Sequence, residues 1–358
     1  MGAMTRTALQ TKPSSVIVKN VYYLMAYAFR VVGMEEYRKL GSEEFEGMDD
    51  LLAAVLLLGV EAQRRRGFER GYVPVEEVGC RIRGRVDLRR TMELESRRRL
   101  QVHCRRDDYC EDTPFNRILK AGAGVLLASG DVAEERRRRL KGALAYLHAV
   151  SDIDEPSRIC WTMLRYDRNN RTYELLMSVC FMAMRRHLPR LDGGDLGLAM
   201  IDDEQAFSAL FEHFLLEYYR RHFPQLGASS RRVCADKAAP PFVPRMLTDV
   251  SLSHGGRTLV IDAKCYGEIL ATNFGKKRLT ADHVRQIYYY ASHAGDAEHA
   301  SGLLVYAGTG EADVRECWTD NGYRLGCRTL DLAGDFDAIS AALDAIAQEA
   351  FGPLARRG

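Results

Sequence analysis

Apolar positions recur along the chain with two different periods, and the change of period marks its elements. Residues 206–223 (AFSALFEHFLLEYYRRHF) put Phe207, Leu210, Phe211, Phe214 and Tyr218 on one stripe, the spacing of an amphipathic helix. Residues 250–253 and 258–261 are short, apolar-rich and β-prone. His254-Gly255-Gly256-Arg257 lies between them, a hairpin signal. Residues 302–307 (GLLVYA) read as a third core strand. Helical patterns are predicted over 20–32, 48–66, 115–129, 132–150, 173–187, 280–291 and 335–351, with Thr280 as a cap. Short strands are expected between 72 and 88, around Gly79 and Gly84. The chain therefore reads as α/β. LDGGDLG (191–197), with three glycines and two aspartates, is the predicted linker. It divides a 15–195 domain of α+β character from a 196–358 domain, after a disordered 1–14.

The hairpin sharpens into chemistry. A register that sets 254 opposite 257 also sets Asp249 opposite Asp262, with Cβ atoms about 4.5–5.5 Å apart. Two carboxylates that close repel unless a cation lies between them. Lys264 is two residues beyond Asp262 and projects from the same face. Mg²⁺ takes oxygen ligands, often one or two carboxylates with water and phosphate, and activates the water. The predicted ligands are Asp249, Asp262 and the Ala263 carbonyl, with Glu212 reaching in from the preceding helix. Lys264 would position the water or offset charge in the transition state. Gln286 and Tyr290, one turn apart on the following helix, are further candidates for phosphate or water contact. The plainer alternatives are a surface ion pair in a D-x-K hairpin, solvent-facing Glu212 and Glu217, and tyrosines at 288 and 289 that are simply core.

Composition narrows the field. The net charge of +2 says little, but residues 61–140 hold 20 Lys/Arg against 14 Asp/Glu, including Arg64–66, Arg97–99 and Arg136–139. Interleaved acids leave a salt-bridged helix surface or a docking face as open as DNA contact. The tyrosines of the first helix, Tyr22, Tyr23 and Tyr27, read as core. Nine cysteines stand singly with no C-x-x-C pair, which argues against a zinc ribbon and for a reducing cytoplasm. His103-Cys104 with Cys110 is a poor metal set. The apolar run 51–60 has ten residues, where a bilayer needs about 20, so no membrane association is expected. Gly308-Thr309-Gly310 lacks a following lysine, and Gly275-Lys276-Lys277 lacks the upstream glycine of a phosphate loop. The chain is not expected to bind GTP or ATP itself.

Helix with Glu, strand with Asp, turn, strand with D-A-K, helix with Q-x-x-x-Y is an order that resembles the PD-(D/E)xK nuclease fold. Thr248 stands where that pattern has proline before the first Asp. VKNVYYLMAYAF (18–29), RIRGRVDL (81–88), FNRILKA (115–121), VPRMLTDV (243–250), VIDAKCY (260–266) and GLLVY (302–306) resemble segments found in this order in McrC proteins. The resemblance implies a C-terminal PD-(D/E)xK restriction-endonuclease-like domain behind an N-terminal adaptor. It implies an Mg²⁺-dependent endonuclease subunit of a 5-methylcytosine-directed restriction system. Its partners would be double-stranded DNA and an McrB-like AAA+ GTPase ring, whose GTP hydrolysis it would stimulate. Asp249, Asp262 and Lys264 carry over as the nuclease motif, and Glu212 less directly because some relatives lack an acid there. Two other functions remain open: a non-catalytic subunit that activates the GTPase, and a stand-alone repair nuclease.

Overall fold

The computed structural model describes residues 15–31, 40, 43–168, 170–187, 196–233, 246–265, 271–273, 276–308 and 314–357. The expected disordered segment 1–14 and residues 191–195 of the expected linker lie outside them. Contacts divide the chain into two units, 1–51 with 194–358, and 52–193. A single cut at 195 would separate the first helix from the C-terminal half. The packing instead joins them.

The first helix, α1 (Ser15–Ala28), packs along the long helix introduced below. Asn20, 2% exposed, donates from Nδ2 to the carbonyls of Leu332 and Gly334 at 2.7 and 2.8 Å. Tyr23 and Tyr27 stack on Phe336. The tyrosine stripe is therefore core, as its period suggested.

Helix α2 (Met48–Arg66) crosses the unit boundary and leads into the 52–193 unit. There follow β1 (Gly71–Gly79), β2 (Arg85–Val86), α3 (Leu88–Ser96), β3 (Val102–Cys110), α4 (Pro114–Ala128), α5 (Glu134–Leu144) and α6 (Tyr173–His187). The sheet order is β1-β3-β2, antiparallel throughout. Gly84, at φ +81°, lets the chain turn where a Cβ would sit 2.5 Å from the Arg105 carbonyl. Gly122 lets α4 approach α6, since a Cβ there would lie 2.5 Å from Cys180 Sγ. Asn116 is fully buried and fully satisfied. It donates to Glu69 O and Glu111 O and accepts from Tyr173 Oη at 2.6 Å. The FNRILKA segment is thus a structural latch. Of the arginine runs, Arg139 pairs with Glu61 and Arg137 with Glu134, while Arg64 lies over the Tyr146 ring. These contacts are those of a salt-bridged helix surface.

Helix α7 (Leu196–His222) starts inside the predicted linker: Leu196 and Gly197 are helical. Next come the ribbons β4 (Arg232–Val233) with β5 (Met246–Leu247), β6 (Val250–His254) with β7 (Arg257–Lys264), and β8 (Ala271–Asn273) with β9 (Lys276–Arg278). The chain closes with α8 (Ala281–Ala294), β10 (Ala300–Gly308), β11 (Arg315–Asp320), β12 (Tyr323–Asp331) and α9 (Phe336–Phe351). The main sheet has the order β11-β12-β10-β7-β6, parallel at its centre and antiparallel at both edges. The centre is parallel because α8 carries the chain from β7 back to β10. Ile287 and Ala291 of α8 pack on Leu304, Tyr306, Leu325 and Cys327, and Tyr290 packs on Val233 and Val260. Gly302 permits this approach, since a Cβ there would lie 2.7 Å from Ile287 Cγ1. Thr280 occupies the N-cap position of α8, but its side chain makes no capping hydrogen bond, contrary to expectation. The described residues hold no helix long and apolar enough to cross a membrane.

Candidate active site

The hairpin sets the site. Gly255 and Gly256 both have positive φ, 56° and 79°, as a two-residue turn of the I′ type demands. His254 pairs with Arg257 and Val250 with Ile261, the register read from the sequence. The ladder stops at Val250, and Asp249 continues it with its side chain. Its Oδ2 accepts a hydrogen bond from Ala263 N at 2.7 Å. Asp249 thus sits against the strand at the Asp262-Ala263 step. Ala263, expected to offer its carbonyl to a metal, enters through its N–H.

Asp262 lies on a strand buried over Leu259 to Ala263, and is itself 1% exposed. Its Oδ2 is 2.8 Å from Lys264 Nζ. Its Oδ1 is buried and has no hydrogen-bond partner among the described residues. Burial pushes the Asp262 carboxyl up, against the pull of Lys264. Asp249 is lifted to about 7, first by burial and then by the charge of Asp262. Two neighbouring buried carboxylates that disfavour each other's charge, one with an orphaned oxygen, are a donor set that a divalent cation would satisfy. Among the described residues no three His, Cys, Asp or Glu side chains converge on one point. Two carboxylates with water and phosphate are an ordinary Mg²⁺ set.

Lys264 is braced from α8. Its Nζ donates to Gln286 Oε1 at 3.0 Å, Gln286 Nε2 donates to Tyr290 Oη at 3.0 Å, and Tyr290 Oη donates to Leu247 O at 3.0 Å. Gln286 and Tyr290 do share a face. Tyr290 is 3% exposed and its hydroxyl is committed to this chain, so it supports the lysine. On the sheet side, Tyr306 pairs with Lys264 across the parallel ladder, and its hydroxyl lies 2.8 Å from His283 Nδ1.

The helix carboxylates separate. Glu212 accepts from Ser208 Oγ at 3.2 Å, and its charge reaches both aspartates. It borders the pair without joining a three-acid cluster. Glu217 does not face solvent. Its side chain is 12% exposed and clamped by Arg30 at 2.6 and 2.7 Å and by Arg220 at 2.6 Å.

Ser208 and the Tyr306–His283 pair had no sequence signal, and Thr248 was marked only as a departure from proline. Thr248 is 1% exposed. Its amide donates to Arg231 O at 2.9 Å, its hydroxyl receives Arg231 N at 3.0 Å, and its carbonyl receives Ser230 Oγ at 2.5 Å. A proline here would lack the first of these donors, which explains why threonine suits this chain.

A family model described as McrBC 5-methylcytosine restriction system component matches residues 10–307. A curated relative from Escherichia coli strain K12, the type IV methyl-directed restriction enzyme EcoKMcrBC, is 25% identical over 333 residues. That match covers 90% of this chain and 94% of the relative. Among solved structures, a half-complex of Thermococcus gammatolerans McrB AAA+ hexamers with bound McrC aligns at 17% identity and a TM-score of 0.46. It covers 92% of this chain and 76% of that one. The T. gammatolerans McrBC complex aligns at 16% identity and a TM-score of 0.34, over 49% of this chain and 59% of that one.

Proposed function

The chain belongs to the McrBC 5-methylcytosine restriction-system component family, and from that membership and the geometry of its site we propose that it is the Mg²⁺-dependent DNA endonuclease subunit of a modification-dependent restriction complex. The observation that carries this is the buried Asp262 with its orphaned Oδ1, set between Asp249 and the ammonium of Lys264. Buried carboxylate oxygens are as a rule hydrogen-bonded, and this one lies beside a second acid and an ammonium, where a cation would satisfy it.

In this reading the 194–358 part is a PD-(D/E)xK nuclease domain. Asp249 and Asp262 would hold the metal, with Glu212 adding negative charge at its border. Mg²⁺ bound there would supply a water of lowered pKa and polarise the scissile phosphate. Lys264 orients the attacking water and offsets charge on the phosphoryl oxygens. Gln286 fixes the direction of the ammonium, and Tyr290 fixes Gln286. The 52–193 unit serves as the adaptor to an McrB-like AAA+ GTPase, which supplies the methylcytosine reading and the GTP hydrolysis that this chain is proposed to stimulate.

The test is plasmid cleavage, methylated and unmethylated, with Mg²⁺, by this chain alone and with its AAA+ partner plus GTP. Cutting that needs partner, GTP and methylation is expected. Robust cutting by the chain alone, blind to methylation, would show a stand-alone nuclease. Loss of GTPase stimulation together with cutting in Asp262→Ala would show that the two roles are not separable.

A further inference from the structure

The site poses an electrostatic problem for a polyanionic substrate. Asp249, Asp262 and Glu212 stand against one ammonium, Lys264. Even with the proposed Mg²⁺ bound, that set is close to neutral, so a phosphate backbone gains little attraction there unless further cations flank it. Several arginines of this unit are held by carboxylates. Arg220 is paired with Glu217, Arg285 with Asp282, Arg315 and Arg328 with Glu349, and Arg356 with Asp344. Arg231 and Arg232 stand out by their place, paired with Thr248 and Leu247 beside Asp249. Both are exposed, and neither has a carboxylate partner among the described residues. Arg231 spends one donor, Nε, on Ser229 Oγ at 3.3 Å.

Their backbone is locked to the site. Arg231 exchanges hydrogen bonds with Thr248, the residue before Asp249. Arg232 pairs with Leu247 in the β4–β5 ribbon. The Leu247 carbonyl receives the Tyr290 hydroxyl, to which Gln286 donates. A bridge between Ser229 and Ser251 ties the start of the segment to β6. The two arginines, the first aspartate and the brace behind Lys264 therefore share one hydrogen-bonded frame. Successive residues of an extended segment project to opposite sides, so the two guanidiniums flank the ribbon.

We propose that Arg231 and Arg232 form the phosphate grip of this site, binding the DNA backbone next to the scissile bond and holding it in register with Asp249 and Lys264. The inference rests on the nuclease reading above. Guanidinium suits the role because it engages phosphate oxygens in pairs. Phosphate contacts carry no base information, so the grip acts on methylated and unmethylated duplex alike.

The experiment uses the full chain in an Asp262→Ala background, which removes cutting. Binding to a short duplex is followed by fluorescence anisotropy over a salt series, methylated and unmethylated. Arg231→Gln with Arg232→Gln is expected to weaken binding to both duplexes equally. It should flatten the dependence of log K on log salt by about 2, roughly 0.9 for each phosphate that is no longer neutralised. Arg231→Lys with Arg232→Lys keeps the charges and should restore most of the slope, which a folding defect would not allow. An unchanged slope, a weakening that lysine fails to restore, or no duplex binding by the parent at low salt would each overturn the proposal. Failure of the nuclease reading shows separately: Asp262→Ala chain that still cuts with partner and GTP refutes that reading, whatever the arginines do.

Discussion

Asp249 reaches past the end of its own strand and takes the amide hydrogen of Ala263 at 2.7 Å, so that one side-chain oxygen stands in for a backbone carbonyl of the ladder. The bond fixes the first acid beside the second, and it does so at a cost in charge. Burial and Asp262 together lift the Asp249 carboxyl to about 7, well above its ordinary 3.8.

That shift makes metal-free stability depend on pH. The folded chain holds a proton on Asp249 that the unfolded chain has released by about pH 4. Its contribution is complete below that value and is lost as pH rises through about 7. Asp249→Asn keeps the acceptor for Ala263 N and removes the titration. In EDTA the variant should match wild type near pH 4. By pH 8 it should exceed wild type by on the order of 2–4 kcal/mol. Urea unfolding at both pH values checks this, and equal stability at pH 8 would remove the strained-acid account.

Gln286 should matter to rate more than to stability. It joins Lys264 Nζ to Tyr290 Oη on a half-buried helix face. Gln286→Ala leaves the ammonium paired with Asp262 but without its second anchor. Cutting should fall about 10²-fold, in the range seen for a missing oriented donor, with a melting temperature within a few degrees of wild type. Lys264→Ala should abolish cutting. A Gln286→Ala chain that cuts at the wild-type rate would show that the brace is only structural.

Thr248 tests why this chain departs from the proline of the fold it resembles. Thr248→Pro deletes an amide that donates to Arg231 O, at a residue 1% exposed, and also the hydroxyl that receives Arg231 N. Losing a buried donor and acceptor pair of this kind costs about 1–3 kcal/mol. Thermal unfolding of the variant should show the loss. A neutral substitution would mean that the Arg231 segment is not held by Thr248, which would also weaken the frame behind the arginine grip.

How far the sequence reached follows from what each residue does. The Gly-Gly turn and the alternation around it carried the hairpin register, and with it the closeness of Asp249 to the Asp262 step, because a two-residue turn leaves one pairing. The depth of Asp262 was not legible. A charged residue inside LVIDA looks exposed until the strand is placed between two others. β11, β12 and β3 went unread because arginines, aspartates and glutamates dominate their exposed positions. β1 and β3 alternate between exposed and half-buried residues, with little buried face to announce them. Glu217 looked solvent-facing because its partner Arg30 is 187 residues away in sequence. The shared segments VKN and FNR turned out to hold the fold rather than the site. Asn20 and Asn116 each satisfy buried carbonyls, a role that no local pattern reveals.

The 52–193 unit has its own pH-sensitive staple, independent of the site. Asp112 takes both Nε and Nη2 of Arg117 at 2.8 and 2.6 Å, and the amide and hydroxyl of Ser151 at 2.7 and 2.8 Å. The Arg117 guanidinium, with the Ser151 donors, holds the Asp112 carboxyl down at about 2. Here the sign is opposite to that of Asp249. The stabilisation is present above about pH 4 and is lost as pH falls through about 2. The Arg117 side chain is 35% exposed, so screening trims the contribution to about 1 kcal/mol. Asp112→Asn cannot accept from all four donors. It should be less stable than wild type by that amount at pH 7, and the two should converge near pH 2. The pH dependence of hydrogen exchange at the Ser151 amide reports the same bond locally. Protection of that amide that does not change between pH 4 and pH 2, after correction for intrinsic exchange, would show that the carboxylate is not what holds it.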